Sequence, residues 1–130
     1  FQLLPVLLPN SPILGKLAFI LPTIVADILI YRNLLSLFPN RKREVEIFYF
    51  YSPIILYSIF MHGQLDLWPT ALLLLSITFL FRDKTNYAGI LFGLATTFKF
   101  HVVAVLPLLL VFLLKRKGFK QVCIFLSFVI

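Results

Sequence analysis

Acidic residues and cysteine are scarce in this sequence. Its 130 residues include five Asp and Glu against twelve Lys and Arg, and only 13% are charged. Soluble domains contain about 25% charged residues, so the chain lacks the polar surface that water requires. The single cysteine, Cys123, excludes disulfides within the chain and cysteine-based metal sites. No glycine-rich phosphate loop or serine nucleophile motif is present, and we predict neither a metal nor a cofactor.

Apolar residues take the place of the missing charge. They make up 61% of the chain, and the mean hydropathy is +1.00. This composition predicts an all-α fold, a polytopic transmembrane helical bundle forming one domain. About six spans or part-spans are expected, approximately 17–35, 45–60 with a kink at Pro53, 67–81, 87–98, 102–114 and 121–130. Because the chain begins at Phe1 and stops within an apolar run, we expect a fragment of a larger membrane protein.

Basic residues are concentrated in alternate connections between the apolar runs. They occupy 41–43, 82–84 and 115–120, whereas 1–12, 62–66 and 99–101 form the intervening segments. The positive-inside rule places the first set on the cytoplasmic side and the second set on the opposite face. These charges therefore predict membrane topology and a lipid bilayer as partner, rather than binding to nucleic acid.

The stretch 87–114 has no strong turn signal and allows two interpretations. One continuous helix would be about 42 Å long and would put its basic flanks on opposite sides of the membrane. The positive-inside rule favours a hairpin or a broken helix with its tip near Lys99.

Polar residues in a membrane protein indicate candidate functional sites. His62, Gln64 and Asp66 combine an imidazole, an amide and a carboxylate, which suits recognition of sugar hydroxyls. Asp66 is equally suited to cap the following helix. Lys99 and His101 form the second group. A lysine between two phenylalanines requires an anionic partner such as a phosphate, or else it extends to the lipid headgroups.

Two further features favour structural roles. Asp27 lies within the first span, where an ion pair with Arg32 or an interhelical hydrogen bond explains it better than catalysis does. Gly89 and Gly93 form a G-x-x-x-G step, which permits close packing of helices.

The order of these features resembles a known superfamily. After a span with an internal Asp and a basic loop comes "YSPIILYSIFMHGQLDLWPTALLLL", then "YAGILFGLATTFKFHVVAVLPLLLVFLLKRK". This resembles the GT-C polytopic glycosyltransferases that use polyprenyl-phosphate sugars, of the mannosyl or glucosyl type. In the similar dolichyl-phosphate-glucose-dependent enzymes an H-x-Q-x-N loop and an F-K-H step occur in the same order. The sequence departs from that pattern at Asp66 and Phe100. The identity of the transferred sugar is therefore not inferred from the resemblance.

The resemblance implies transfer of a hexose from a polyprenyl-phosphate carrier to a glycan, lipid or protein acceptor on the non-cytoplasmic face. Lys99 and His101 would then bind the donor phosphate, and His62, Gln64 and Asp66 the sugar. The catalytic residue is unknown, since such enzymes place their general base in an outer loop expected upstream of Phe1. A multi-pass location follows, in the plasma or inner membrane of a prokaryote or the endoplasmic reticulum of a eukaryote.

Two alternatives remain open from the sequence. A secondary transporter or flippase for an anionic or lipid-linked substrate also uses broken helices with polar residues near the break. A non-catalytic membrane subunit would use the same residues only to anchor its helices.

Overall fold

A computed structural model describes residues 12–53, 57 and 67–129, and every regular element among these residues is a helix, as the all-α prediction expects. The elements are α1 (Pro12–Leu37), a 3₁₀ turn (Pro39–Arg41), α2 (Lys42–Val45), a π-helix (Glu46–Phe50), α3 (Leu67–Phe81), α4 (Thr85–Phe98), a 3₁₀ helix (Phe100–Val105), α5 (Leu106–Lys117) and α6 (Phe119–Val129). The chain divides into two compact units, 1–67 and 68–130.

Helix α1 is the longest element, with 26 residues. Pro12 stands at its start, where a missing N–H costs little. The helix ends where Pro39 follows Phe38, because proline disfavours the helical conformation of the residue before it. Phe38 accordingly has φ −125° and ψ 62°.

Within the described residues, α1 contains the one helix segment that is long and apolar enough to cross a membrane, Ile20–Leu37. Helices α3 and α6 are apolar but have only 15 and 11 residues, whereas a span needs roughly 20. The all-helical fold is thus established, and the six-span bundle stays a prediction.

The region of the predicted second span departs from a regular helix. Tyr51 donates its backbone N–H to Glu46 O at 2.9 Å, five residues back, which is the π-helical bond. A turn at Tyr51 ends this helix two residues before Pro53. The sequence predicted a kink at Pro53, and the regular helix is interrupted at Tyr51 and Ser52, directly before that proline. Ser52 is the residue whose helical conformation Pro53 disfavours.

Unit 2 begins with α3, which ends in a Schellman turn. Lys84 N–H donates to Phe79 O at 3.0 Å, and Asp83 N–H donates to Leu80 O at 3.2 Å. Asp83 has φ 62°, the left-handed conformation usually taken there by glycine or asparagine. Lys117, at the end of α5, donates to Leu80 O at 3.1 Å and forms an ion pair with Asp83 at 2.9 Å. The two basic turns of unit 2 therefore lie at the same end.

Helices α4 and α6 pack closely through the glycine step. A Cβ added at Gly89 would lie 2.9 Å from both Phe125 O and Phe128 Cβ, and one at Gly93 would lie 3.0 Å from Phe128 O. Beside this contact the buried rings of Phe92 and Phe125 lie 5.7 Å apart. The packing role predicted for the two glycines is confirmed.

The stretch 87–114 is broken, as the positive-inside argument favoured. Helix α4 ends at Phe98, Lys99 is extended with φ −154° and ψ 114°, and a 3₁₀ helix leads into α5. The single long helix is excluded.

Replacing Gly89 by valine should destabilise the protein by about 1–3 kcal/mol, because the new side chain would overlap the α6 backbone. The thermal unfolding midpoint of the full-length protein in detergent is the measurement. Ile90→Ala, on the exposed face of the same turn, is the control. Equal midpoints for the two variants would contradict the close contact.

The Lys117–Asp83 pair makes stability depend on pH. The hydrogen bond from Lys117, with the charge of its ammonium, lowers the pKa of the Asp83 carboxyl below its usual value. A lowered folded-state pKa stabilises the fold above about pH 4, and this contribution disappears as pH falls through the lowered pKa. Asp83→Asn, which tolerates the left-handed conformation, should lower the unfolding midpoint at pH 7 and match wild type in acid.

The matched control for this titration is Glu44→Gln. It removes the exposed Arg41–Glu44 pair, 3.2 Å apart within one helical turn, and such pairs contribute little. A pH-independent difference between wild type and Asp83→Asn would show that the Asp83 charge does not stabilise unit 2.

Candidate functional site

The candidate site in unit 2 is the break between α4 and the 3₁₀ helix. Near the end of α4 the hydroxyls of Thr96 and Thr97 donate to Gly93 O and Leu94 O, each at 2.7 Å. Such bonds to the preceding turn weaken the regular helix. Lys99 N–H still donates to Ala95 O at 3.2 Å, so Lys99 is attached to the last turn of α4 while its own backbone is extended.

The 3₁₀ helix that follows contains His101, the other residue predicted to bind the donor phosphate. Val102 is buried in the hydrophobic core of unit 2 and packs this helix against that core. Its N–H donates to Lys99 O at 3.2 Å, which closes the first turn. Lys99 is half-buried, whereas His101 is exposed and Phe100 is 82% exposed. The break thus carries a lysine and a histidine two positions apart in the sequence, with the exposed Phe100 between them.

The break lies at the end of α4 far from the basic turns. Helix α4 starts next to the Asp83 turn and has 14 residues, so Lys99 is about 21 Å from that turn along the helix axis. Lys99 and the basic turns predicted to be cytoplasmic therefore occupy different ends of unit 2.

The other predicted site residues, His62, Gln64 and Asp66, lie outside the described residues. Their part in recognising a sugar stays a prediction. Among the described residues, no group of three or more His, Cys, Asp or Glu is placed to hold a metal ion.

Unit 1 contains a polar contact that the sequence did not identify. Tyr49, on the π-helix, donates its hydroxyl to Asp27 Oδ1 on α1 at 2.6 Å. The sequence left Asp27 with either an ion pair or an interhelical hydrogen bond, and the structure shows the hydrogen bond. Tyr49 was missed as the partner, although an acidic residue in an apolar helix requires one. One turn further along α1, Tyr31 donates to Glu46 Oε1 at 3.3 Å.

Comparison with known proteins identifies the family. The model of glycosyltransferase family 87 matches residues 1–130. The chain belongs to glycosyltransferase family 87. No curated protein and no solved structure matches the chain.

Membership of family 87 makes the protein a glycosyltransferase and places it in a family of membrane enzymes. The predicted glycosyltransferase activity is thereby confirmed at the level of the enzyme class. The hexose, the polyprenyl-phosphate donor and the assignment of Lys99 and His101 to it remain predictions.

Tyr49→Phe should destabilise the protein by about 1–3 kcal/mol, because it leaves the half-buried Asp27 carboxylate without its donor. The unfolding midpoint in detergent measures this change. Tyr51→Phe, which alters an exposed tyrosine two residues along the chain, is the control. The same midpoint for both variants would show that the contact with Asp27 does not stabilise unit 1.

Proposed function

We propose that this family 87 protein is a polytopic enzyme that transfers a hexose from a polyprenyl-phosphate carrier to an acceptor on the non-cytoplasmic face. Lys99 binds the phosphate that leaves when the glycosidic bond breaks, and His101 supplies a second hydrogen-bond donor. His62, Gln64 and Asp66 contact the sugar. No general base is assigned within residues 1–130.

The observation that carries this proposal is the extended backbone at Lys99. If the helix were continuous, Lys99 would lie in the middle of an apolar helix inside the bilayer, where a charge is costly. The break ends the apolar helix before Lys99. The exposed side chains of Phe100 and His101 follow directly. A lipid-linked phosphate matches this arrangement, since its lipid chain can lie against the apolar helix and its phosphate can meet the lysine at the helix end.

The chemistry favours a fixed cation at this position. As the bond between the anomeric carbon and the phosphate oxygen lengthens, negative charge accumulates on the leaving phosphate. A positive charge that is already in place stabilises that developing charge without further reorganisation. Lys99 is suited to this, because its backbone N–H is bonded to the last turn of α4.

The test uses the full-length protein in proteoliposomes and a radiolabelled polyprenyl-phosphate hexose as donor. Lys99→Ala should lower the turnover number about 100- to 1000-fold, the usual cost of removing a group that stabilises transition-state charge. Lys99→Arg, which keeps the charge in a different geometry, should retain more activity than Lys99→Ala.

The matched control is Lys42→Ala, which removes an exposed lysine of unit 1. Unchanged transfer by Lys99→Ala would contradict the phosphate-binding role. Asp66→Asn distinguishes a helix cap from a sugar contact at that residue. Because asparagine caps a helix about as well as aspartate, loss of transfer would indicate contact with the sugar. A wild-type protein that transfers no hexose from a panel of such donors, yet moves one across the bilayer, would overturn the proposal.

A further inference from the structure

The two basic turns of unit 2 form one strongly charged surface, which we call the basic end: Arg82, Lys84, Lys115, Arg116, Lys117 and Lys120. The ion pair of Lys117 with Asp83 at 2.9 Å holds the two turns together. Asp83 is the only Asp or Glu between positions 68 and 130, so six cations face one carboxylate and the basic end has a net charge of +5. That carboxylate is already bonded to Lys117, whose side chain is only 10% exposed.

Aromatic rings support the cations at this end. The Arg116 guanidinium lies 6.0 Å from the ring centroid of Phe81 and 5.7 Å from that of Phe112. The two rings are themselves in edge contact, with centroids 5.3 Å apart. Cation–π contacts orient a guanidinium while its N–H groups can still donate. Arg116 is exposed and is thus held in position to meet an anion.

An exposed apolar side chain lies directly beside these charges. Gly118, at φ 81°, turns the chain from α5 into α6. The first residue of α6, Phe119, is 73% exposed, and Lys115 and Lys120 on either side of the turn are exposed as well. An exposed phenylalanine among lysines matches a surface that is apolar on one side and anionic on the other, which is the boundary between acyl chains and headgroups.

We propose that the basic end is a binding surface for the phosphate headgroups of anionic phospholipids. Arg116, Lys115 and Lys120 bind the phosphates, and Phe119 enters the acyl region beside them. This surface is separate from the candidate phosphate site at Lys99, which lies at the other end of α4, and the inference does not depend on the proposed transfer reaction.

The test measures binding of fluorescent phosphatidylglycerol to the full-length protein in neutral detergent. A lysine near an anionic lipid surface contributes about a fivefold factor in affinity, so Lys115→Gln with Lys120→Gln should weaken binding roughly 25-fold. Both lysines are exposed, so the double variant should fold normally. The control is Lys42→Gln, since that lysine already faces Glu46 at 3.7 Å, and it should change affinity little.

Two competition measurements and one salt titration complete the test with wild-type protein. Unlabelled phosphatidylcholine should compete poorly, and raising NaCl from about 0.1 M to about 1 M should weaken binding as the Debye length falls from ~10 to ~3 Å. Equal competition by phosphatidylcholine, or a double variant that binds as tightly as wild type, would overturn the proposal. Competition by glycerol phosphate as strong as that by phosphatidylglycerol would overturn the lipid assignment in favour of a soluble anion.

Discussion

The close contact between α4 and α6 fixes the geometry of unit 2. At Gly89 and Gly93 the backbone of α6 approaches so near that no side chain fits between the helices. This contact brings Phe92 onto Phe125 and determines the position of α4 along its own axis. The residue that follows α4, Lys99, is then located in part by this packing. The position of the candidate site thus depends on two glycines that lie about two and three helical turns before it.

The scarcity of acidic residues determines how charge is distributed over unit 2. Its one carboxylate, Asp83, is bonded to Lys117, and this pair joins the turn after α3 to the end of α5. Lys117 also donates to Leu80 O, a carbonyl in the last turn of α3 that accepts the backbone N–H of Asp83 as well. The Lys117–Asp83 pair therefore joins two parts of the fold and also uses the one carboxylate of unit 2. The other cations of the basic end keep a large net positive charge.

The sequence predicted the helical fold from its composition, the glycine contact from the G-x-x-x-G step and the break from the positive-inside rule. A single helix over 87–114 would put its basic flanks on opposite sides of the membrane, so a break near Lys99 was expected. The contact between Tyr49 and Asp27 was not predictable in this way. The residues lie 22 positions apart, and their meeting depends on the π-helical turn, which moves each following side chain around the axis. The pairing of Lys117 with Asp83 is similarly remote in sequence.

The low acid content also affects how a phosphate would bind at the break. A cation near the C-terminal end of a helix interacts favourably with the partial negative charge of the last carbonyls, and Lys99 directly follows the end of α4. A carboxylate nearby would compete with the phosphate for the charge of Lys99. In unit 2 the single carboxylate is Asp83, about 21 Å away along α4 and already paired with Lys117. In the proposed reaction, a phosphate that reaches Lys99 therefore meets no competing carboxylate from residues 68–130.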